Sequence, residues 1–385
     1  DQSMKIVADE NIPCVEQAFS TLGEVTLVSG RELQARQLRD TDILLVRSVT
    51  RVDAGLLDGT PVRFVGSATI GFDHVDLDYL QAHGIGFATA PGSNATSAAE
   101  YVISALLALS ERQQFDLAGK RVGIIGCGNV GSRVRHKLAA LGVECLVNDP
   151  PLQEQGGGRD FVGLDEIMGT DIITLHVPLT HTGRHPTFHL IDEVFMARLR
   201  PHATLVNTAR GAAVDNRALV RLLAARPDLS VVLDVWEGEP AIDVALLQEV
   251  ALGTPHIAGY SLDGKLRGTN MIYRVVCGHF GLAGPWQAAA GLPDSESLDL
   301  AGMDETDRAV CLHRAVFHCY DIRRDDRQLR KMLTLEPAQR PGYFDRLRRE
   351  YPVRREFSEV PVKLGPRQAA LRSVLEGLGF NVTSK

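Results

Sequence analysis

Three side chains spread over the second half of the sequence could together oxidise an alcohol beside a carboxylate. Arg210, in NTARGAAVD, offers a planar fork that matches a carboxylate. His256, in GTPHIAGY, can accept a hydroxyl proton through one ring nitrogen if the other is held. Glu239, in LDVWEGEP, is the carboxylate to hold it and so fix the tautomer. With Arg210 gripping the acid and His256 taking the proton, the C2 hydride of a 2-hydroxy acid could leave for a nicotinamide. A lone histidine among 12 would not carry this reading. The Thr-Pro before it and the ordered spacing from Arg210 and Glu239 do.

Such groups need a scaffold that brings distant segments to one edge. From Lys120 onward the apolar runs RVGIIG, ECLVND, DIITLHV, ATLVNTA and SVVLDVW alternate with helical stretches, which predicts a doubly wound α/β sheet. Arg210, Glu239 and His256 each fall at a strand end or in the loop after it, where ligands bind in such sheets. The first strand runs into Gly126-x-Gly128-x-x-Gly131. Following a strand and preceding a helix, these glycines predict a Rossmann turn that admits a pyrophosphate. The opening N–H groups of the helix, at Asn129 and Val130, would point at that phosphate. Asp149 ends the next strand, 18 positions after Gly131. A carboxylate there suits ribose hydroxyls and repels a 2′-phosphate, and two prolines follow it instead of an arginine. NAD is therefore the expected cofactor.

The earlier segment, with KIVAD, DILLVRS, RFVGSAT and GFATAP, predicts a separate α/β unit with a buried parallel sheet. A helix is expected from near Ala95 through AAEYVISALLALS, and another between Asp263 and Leu282. Gly281 to Pro293 has linker composition. Residues 295–385 carry the arginine-dense RRDDRQLRK and FDRLRREYPVRREF and a closing helix RQAALRSVLEGLG, and are expected to form a third, smaller α+β domain.

The 385 residues allow two or three domains, and 44% hydrophobic with 23% charged residues fit a globular protein. A net charge of -7 disfavours nucleic acid or an anionic membrane as the main partner. Six cysteines without a CxxC pair suit reduced thiols, and no run of membrane-spanning length or signal peptide is found, so a cytoplasmic location is expected. Asp1 to Ser3, ahead of Met4, read as a cloning remnant. In HTGRHPTFH, His181, His185 and His189 recur every four residues, but Gly183 and Pro186 break any helix that would align them. No metal site is expected there.

The order GxGxxG, acidic strand end, N-x-A-R-G, D-V-x-x-x-E-P and T-P-H resembles the D-isomer-specific 2-hydroxyacid dehydrogenase family, over roughly Lys5 to Leu282. RSVT, GSATIGFDHVD and LHVPLT are similar to its other landmarks. The resemblance implies a Rossmann-type nucleotide domain (94–259) inserted in a smaller flavodoxin-like substrate domain (4–93 and 260–285), followed by a C-terminal dimerisation domain (290–385). It implies NAD contacts at Asp149, Thr208, Ala209, Arg210, Asp234 and Gly259, with Asp234 near the nicotinamide, and substrate contacts at Ser48 and Thr69. Val177 stands where relatives often have threonine, which removes a hydroxyl contact there.

The wording GYSLDGKLRGT after the histidine, with the extra C-terminal domain, implies a phosphorylated 2-hydroxy acid. Tyr260 then becomes the candidate contact to its polar chain, and Arg47, next to Ser48, the candidate for its phosphate. Lys265 and Arg267 read as the solvated face of a helix. Arg346, Arg348, Arg349, Arg354 and Arg355 read as surface and interface charges, one of which could reach a partner's active site. A homodimer is expected, with the helix Ala98 to Ser110 as a further contact. A member acting on another 2-hydroxy acid and an NAD-sensing corepressor are the competing readings.

Overall fold

The computed structural model describes residues 3–156, 160–288, 295–302 and 307–384. The chain divides into two compact units, Asp1–Asn94 with Ser261–Asp294, and Ala95–Tyr260 with Ser295–Lys385.

In the first unit, β1 (Met4–Asp9), β2 (Gly23–Val28), β3 (Ile43–Val46), β4 (Phe64–Ser67) and β5 (Gly86–Ala88) form a parallel sheet in the order β2-β1-β3-β4-β5. That is the flavodoxin-like order. β3 and β4 are buried at every position, as strands covered on both faces must be. β2 lies at the edge with most residues partly or fully exposed, so GEVTLV carries too weak an apolar signal to stand out in the sequence. The chain returns to this unit through the helix Leu262–Phe280. Ser261 caps it by accepting from Gly264 N–H at 2.9 Å, and Gly281 ends it in a left-handed conformation. Its Ile272, Tyr273 and Val276 share a core with Ile6, Leu45 and Phe64.

In the second unit, β6 (Arg121–Ile125), β7 (Glu144–Asn148), β8 (Ile172–Leu175), β9 (Thr204–Asn207), β10 (Ser230–Leu233) and β11 (Leu252–Gly253) form a parallel sheet in the order β11-β10-β9-β8-β6-β7. The winding direction reverses between β6 and β8, which places the switch point at the glycine-rich turn. Phe161 adds an isolated parallel bridge to Val147 beyond the sheet edge.

Of the 19 residues of the helix Ala95–Gln113, 15 are buried, which leaves no broad polar face. The chain itself covers this helix. Ser104 Oγ donates to the Tyr320 carbonyl at 2.9 Å, and Leu106 and Leu109 share one core with Val134, Leu138, Ala315, Val316, Phe357 and Leu375. The helix expected to offer a dimer contact is thus sealed within its own unit, and the C-terminal residues are part of the same core. They carry a small parallel sheet, β12 (Leu298–Asp299), β13 (Pro361–Leu364) and β14 (Asn381–Ser384).

The reading of the C-terminal arginines as surface charges also needs correction. Arg354 is 5% exposed, stacks 3.7 Å from the Tyr320 ring centroid, and donates to the carbonyls of Ala258 (3.0 Å) and Ser97 (2.7 Å). Arg346 and Arg349 are exposed, as expected. The linker-like Gly281 to Pro293 lies partly outside the described residues. Among the described residues no helix is long and apolar enough to cross a membrane.

Candidate active site

Because β9, β10 and β11 are parallel, the loops after them leave the same edge of the sheet, carrying Arg210, Glu239 and His256 respectively. His256 Nδ1 lies 2.7 Å from Glu239 Oε2, while the Trp236 N–H donates to Glu239 Oε1 at 2.8 Å. Both carboxylate oxygens are therefore occupied, and the second imidazole nitrogen is the one left to meet a substrate. Burial pushes the Glu239 carboxyl up. The neighbouring His256, its hydrogen bond and the Trp236 N–H outweigh that, and the net pKa is lowered.

The loop bearing His256 is held by Asp234, at the end of β10. One carboxylate oxygen accepts from Thr254 Oγ1 (2.7 Å) and Ile257 N–H (2.8 Å), the other from Ala258 N–H (2.9 Å). The Asp234 carbonyl accepts from His256 N–H at 2.7 Å. His256 itself has φ of 58°, a left-handed conformation that a non-glycine residue keeps only where its surroundings over-determine it. Asp234 supplies that determination. These three carboxylate hydrogen bonds all serve the histidine loop, a role the sequence did not disclose.

The Arg210 loop is built in the same way. Asn207 closes it, accepting from Ala209 N–H (3.0 Å) and donating to the Arg210 carbonyl (2.9 Å). The half-buried Arg210 guanidinium donates to the Ala209 carbonyl at 2.8 Å. Only glycine fits next, because a Cβ on Gly211 would stand 2.1 Å from the Trp236 carbonyl carbon. That close approach presses the Arg210 loop against the segment that carries Glu239. Asn207, which opens the motif that holds Arg210, is thus the residue that shapes this loop, a role its position in the sequence does not reveal.

At the switch point the residues fit a dinucleotide. A Cβ on Gly128 meets nothing within 4 Å, leaving open space where backbone can approach a ligand, and the helix Asn129–Ala140 starts there with Val130 in its first turn. A Cβ on Gly131 would instead lie 1.9 Å from the Gly126 carbonyl oxygen. Gly131→Ala is therefore expected to push helix and turn apart and weaken NAD binding by at least about tenfold. Titration of NADH fluorescence checks this, and unchanged affinity would refute it. Asp149 accepts from Cys127 N–H (2.7 Å) and Leu152 N–H (3.1 Å), which ties the turn to β7 and leaves carboxylate lone pairs for hydroxyl donors.

His176, after β8, spans Thr174 (2.9 Å) and Thr208 (3.2 Å) and so braces one of the expected cofactor-contact residues. Burial lowers its pKa to about 3. Because the folded pKa lies below the unfolded value of about 6.5, the unfolded state takes up the proton first as pH falls. Stability is expected to drop between about pH 6.5 and 3 more steeply than in His176→Gln. Urea midpoints measured across that range check the difference in slope, and parallel curves would refute it.

In the first unit, Ser48 is exposed just after β3 and Thr69 follows β4, both at the carboxyl edge of that sheet. Thr69 Oγ1 donates to the Gly71 carbonyl (2.9 Å) and lies 2.6 Å from Ser67 Oγ. Arg47, the candidate for the phosphate, has Nε 3.1 Å from the buried Asp9 carboxylate, an ion pair in which neither of these two atoms makes a hydrogen bond among the described residues. Lys265 is half-buried. Arg267 is exposed and donates to the Ser93 carbonyl.

Among the described residues, the group with metal-ligand spacing is His189, Asp215 and Glu237. His189 Nε2 lies 2.7 Å from Glu237 and Nδ1 3.8 Å from Asp215, while both carboxylates also accept backbone N–H groups at the start of the helix Asn216–Ala225. This is a hydrogen-bonded clamp between loops. His185 pairs with Glu154 at 2.8 Å, and His181 packs on Phe188.

Gly259 is half-buried beside Tyr260, whose ring meets Tyr351 edge-on at 5.6 Å. Arg348, expected among the surface and interface charges, lies here as well and is only partly exposed, with its guanidinium 5.7 Å from the Tyr260 ring centroid.

Residues 94–258 match the D-isomer specific 2-hydroxyacid dehydrogenase NAD-binding domain, and residues 292–379 match a domain of unknown function. An erythronate-4-phosphate dehydrogenase of Hahella chejuensis is 47% identical over 99% of this chain and 100% of its own length. The protein of the same name from Chromohalobacter salexigens is 48% identical over 98% of this chain and 99% of its own. Among solved structures, a D-lactate dehydrogenase from Aquifex aeolicus complexed with NAD and lactic acid is 26% identical with a TM-score of 0.59, covering 72% of this chain and 95% of that one.

Proposed function

Because the chain belongs to the D-isomer-specific 2-hydroxyacid dehydrogenases, and among them to the erythronate-4-phosphate dehydrogenases, we propose that it oxidises 4-phospho-D-erythronate at C2. The product is (R)-3-hydroxy-2-oxo-4-phosphooxybutanoate, on the way to pyridoxal 5′-phosphate. The observation that carries this reading is the near full-length identity to relatives of that name, joined to a His256–Glu239 pair at 2.7 Å on the edge that bears the nucleotide turn.

The Gly126 to Gly131 turn and the helix Asn129–Ala140 would hold NAD, which would supply the hydride acceptor for C2. Arg210 holds the substrate carboxylate in a fixed plane, which orients C2. His256 accepts the hydroxyl proton at Nε2, since Nδ1 is committed to Glu239. Glu239 keeps that tautomer and balances the imidazolium that forms. Thr208, Ala209, Asp234 and Gly259 are proposed as further cofactor contacts, and Ser48, Thr69 and Tyr260 as substrate contacts. The protein is proposed to work as a cytoplasmic homodimer.

The test follows NADH absorbance with 4-phospho-D-erythronate and NAD, with a 2-oxo acid added in a parallel sample so that bound NADH does not mask turnover. Preferential oxidation of 3-phospho-D-glycerate would move the protein to another member of the family. No turnover of any 2-hydroxy or 2-oxo acid would overturn the enzymatic reading.

A further inference from the structure

Arginines in the last turn of a helix are ordinarily solvated, since their charge complements the helix dipole from the surface. Two arginines near the end of the helix Arg340–Arg349 behave that way. Arg346 is exposed and lies over the Tyr343 ring, and Arg349 is exposed and pairs with Glu350 at 3.2 Å. Arg348 does not. Its side chain turns inward to the loop after His256, donates to Tyr260, and is close enough to Glu239 to feel its charge. Its Nε is buried without a hydrogen-bond partner among the described residues. A buried guanidinium N–H left unpaired costs free energy, and natural structures keep such a group only for a reason.

Resting on the function proposed above, we propose that Arg348, from the C-terminal part of the same chain, binds the phosphate of the substrate together with Tyr260. The substrate phosphate is separated from the reacting C2 by two carbons and an oxygen. Its site must therefore lie near the His256–Glu239 pair without belonging to it. Arg348 meets that requirement, because it reaches Tyr260, four residues after His256, and Glu239, the partner of His256. Arg210 is assigned to the carboxylate end, and Arg47 is ion-paired with Asp9, a carboxylate that an incoming phosphate would have to displace. A guanidinium fork with an open Nε can engage a phosphate through two parallel N–H groups, which a lysine cannot do. The segment that delivers it is rigid. Tyr351 packs on Tyr260 and donates to Asp325 at 2.7 Å, and Arg354 is fastened to the carbonyls of Ala258 and Ser97. The residues matching a domain of unknown function would thus complete the substrate site within their own chain, not across to a partner.

The experiment compares wild type, Arg348→Met and Arg348→Lys on 4-phospho-D-erythronate and on D-erythronate. Expected for Arg348→Met is a loss of about 100-fold in kcat/KM for the phosphorylated acid, mostly through KM, with D-erythronate changed less than about threefold. Arg348→Lys should recover part of the loss. NAD affinity should be unchanged in both variants. An equal loss on both acids would assign Arg348 to supporting the loop and overturn the proposal. Calorimetric titration with inorganic phosphate tests the site without the reaction, so that failure of wild type to oxidise 4-phospho-D-erythronate counts against the assigned function alone. Saturable phosphate binding that is lost in Arg348→Met supports the inference. Binding that is absent from wild type, or equal in the variant, overturns it.

Discussion

His256→Ala is expected to lower kcat by about 10²- to 10⁴-fold while leaving NADH affinity and the unfolding midpoint close to wild type. That range is what a positioned general base contributes. The neighbouring contacts set the expectation for binding and stability. The His256 side chain bonds Glu239, whereas the loop is held through backbone groups by Asp234, which the substitution leaves in place. Glu239→Gln is the companion variant. An amide at this position can present its NH₂ to Nδ1 and reverse the tautomer, so a loss on the order of 100-fold is expected although the shape is nearly unchanged. Stopped-flow and steady-state NADH traces check both. A His256→Ala enzyme that retained more than a tenth of wild-type kcat would remove His256 from the role of base.

Asp234→Ala is expected to damage folding and catalysis together. The carboxylate is 1% exposed and satisfies the Thr254 hydroxyl and the amides of Ile257 and Ala258. Its removal leaves two buried N–H groups unpaired at roughly 1–3 kcal/mol each. A total of about 3–5 kcal/mol corresponds to a fall in midpoint on the order of 6–20 °C for a unit of this size. The same loss releases His256 from its φ of 58°, so the surviving folded enzyme should also turn over more slowly. Burial raises the Asp234 pKa, opposed by His256, Thr254 and the two amides, so the donors are what make a carboxylate tolerable there. Thermal denaturation by circular dichroism, with kcat measured well below the midpoint, checks both parts. A variant with wild-type midpoint and rate would show that the loop needs no such anchor.

The edge strand Gly23–Val28 and the arginines show how far local pattern reaches. Apolar runs identify strands buried on both faces, but β2 exposes most of its residues, and its pairing with β1 is decided by the sheet it joins. Arg348 and Arg349 are neighbours in an arginine-rich run, yet one is directed at Tyr260 and the other at solvent. Nothing in the run distinguishes them, because the direction of a helical side chain acquires meaning only from what the helix is packed against. The same holds for Asp234, whose carboxylate serves a loop some twenty residues away.

By itself the sequence determined the parallel α/β architecture, the glycine-rich turn, and the position of Asp149, Arg210, Glu239 and His256 at strand ends or in the loops after them. These depend on short motifs and on strand ends, and parallel strands necessarily deliver their following loops to one edge. Only the tertiary structure decided how His256 is held in a left-handed conformation and why Gly211 must be glycine. It alone placed the C-terminal segment in the core of the nucleotide unit, with Arg348 beside Tyr260. Each of these rests on a contact between residues distant in sequence, where burial and hydrogen-bond satisfaction, rather than residue type or spacing, select the partner.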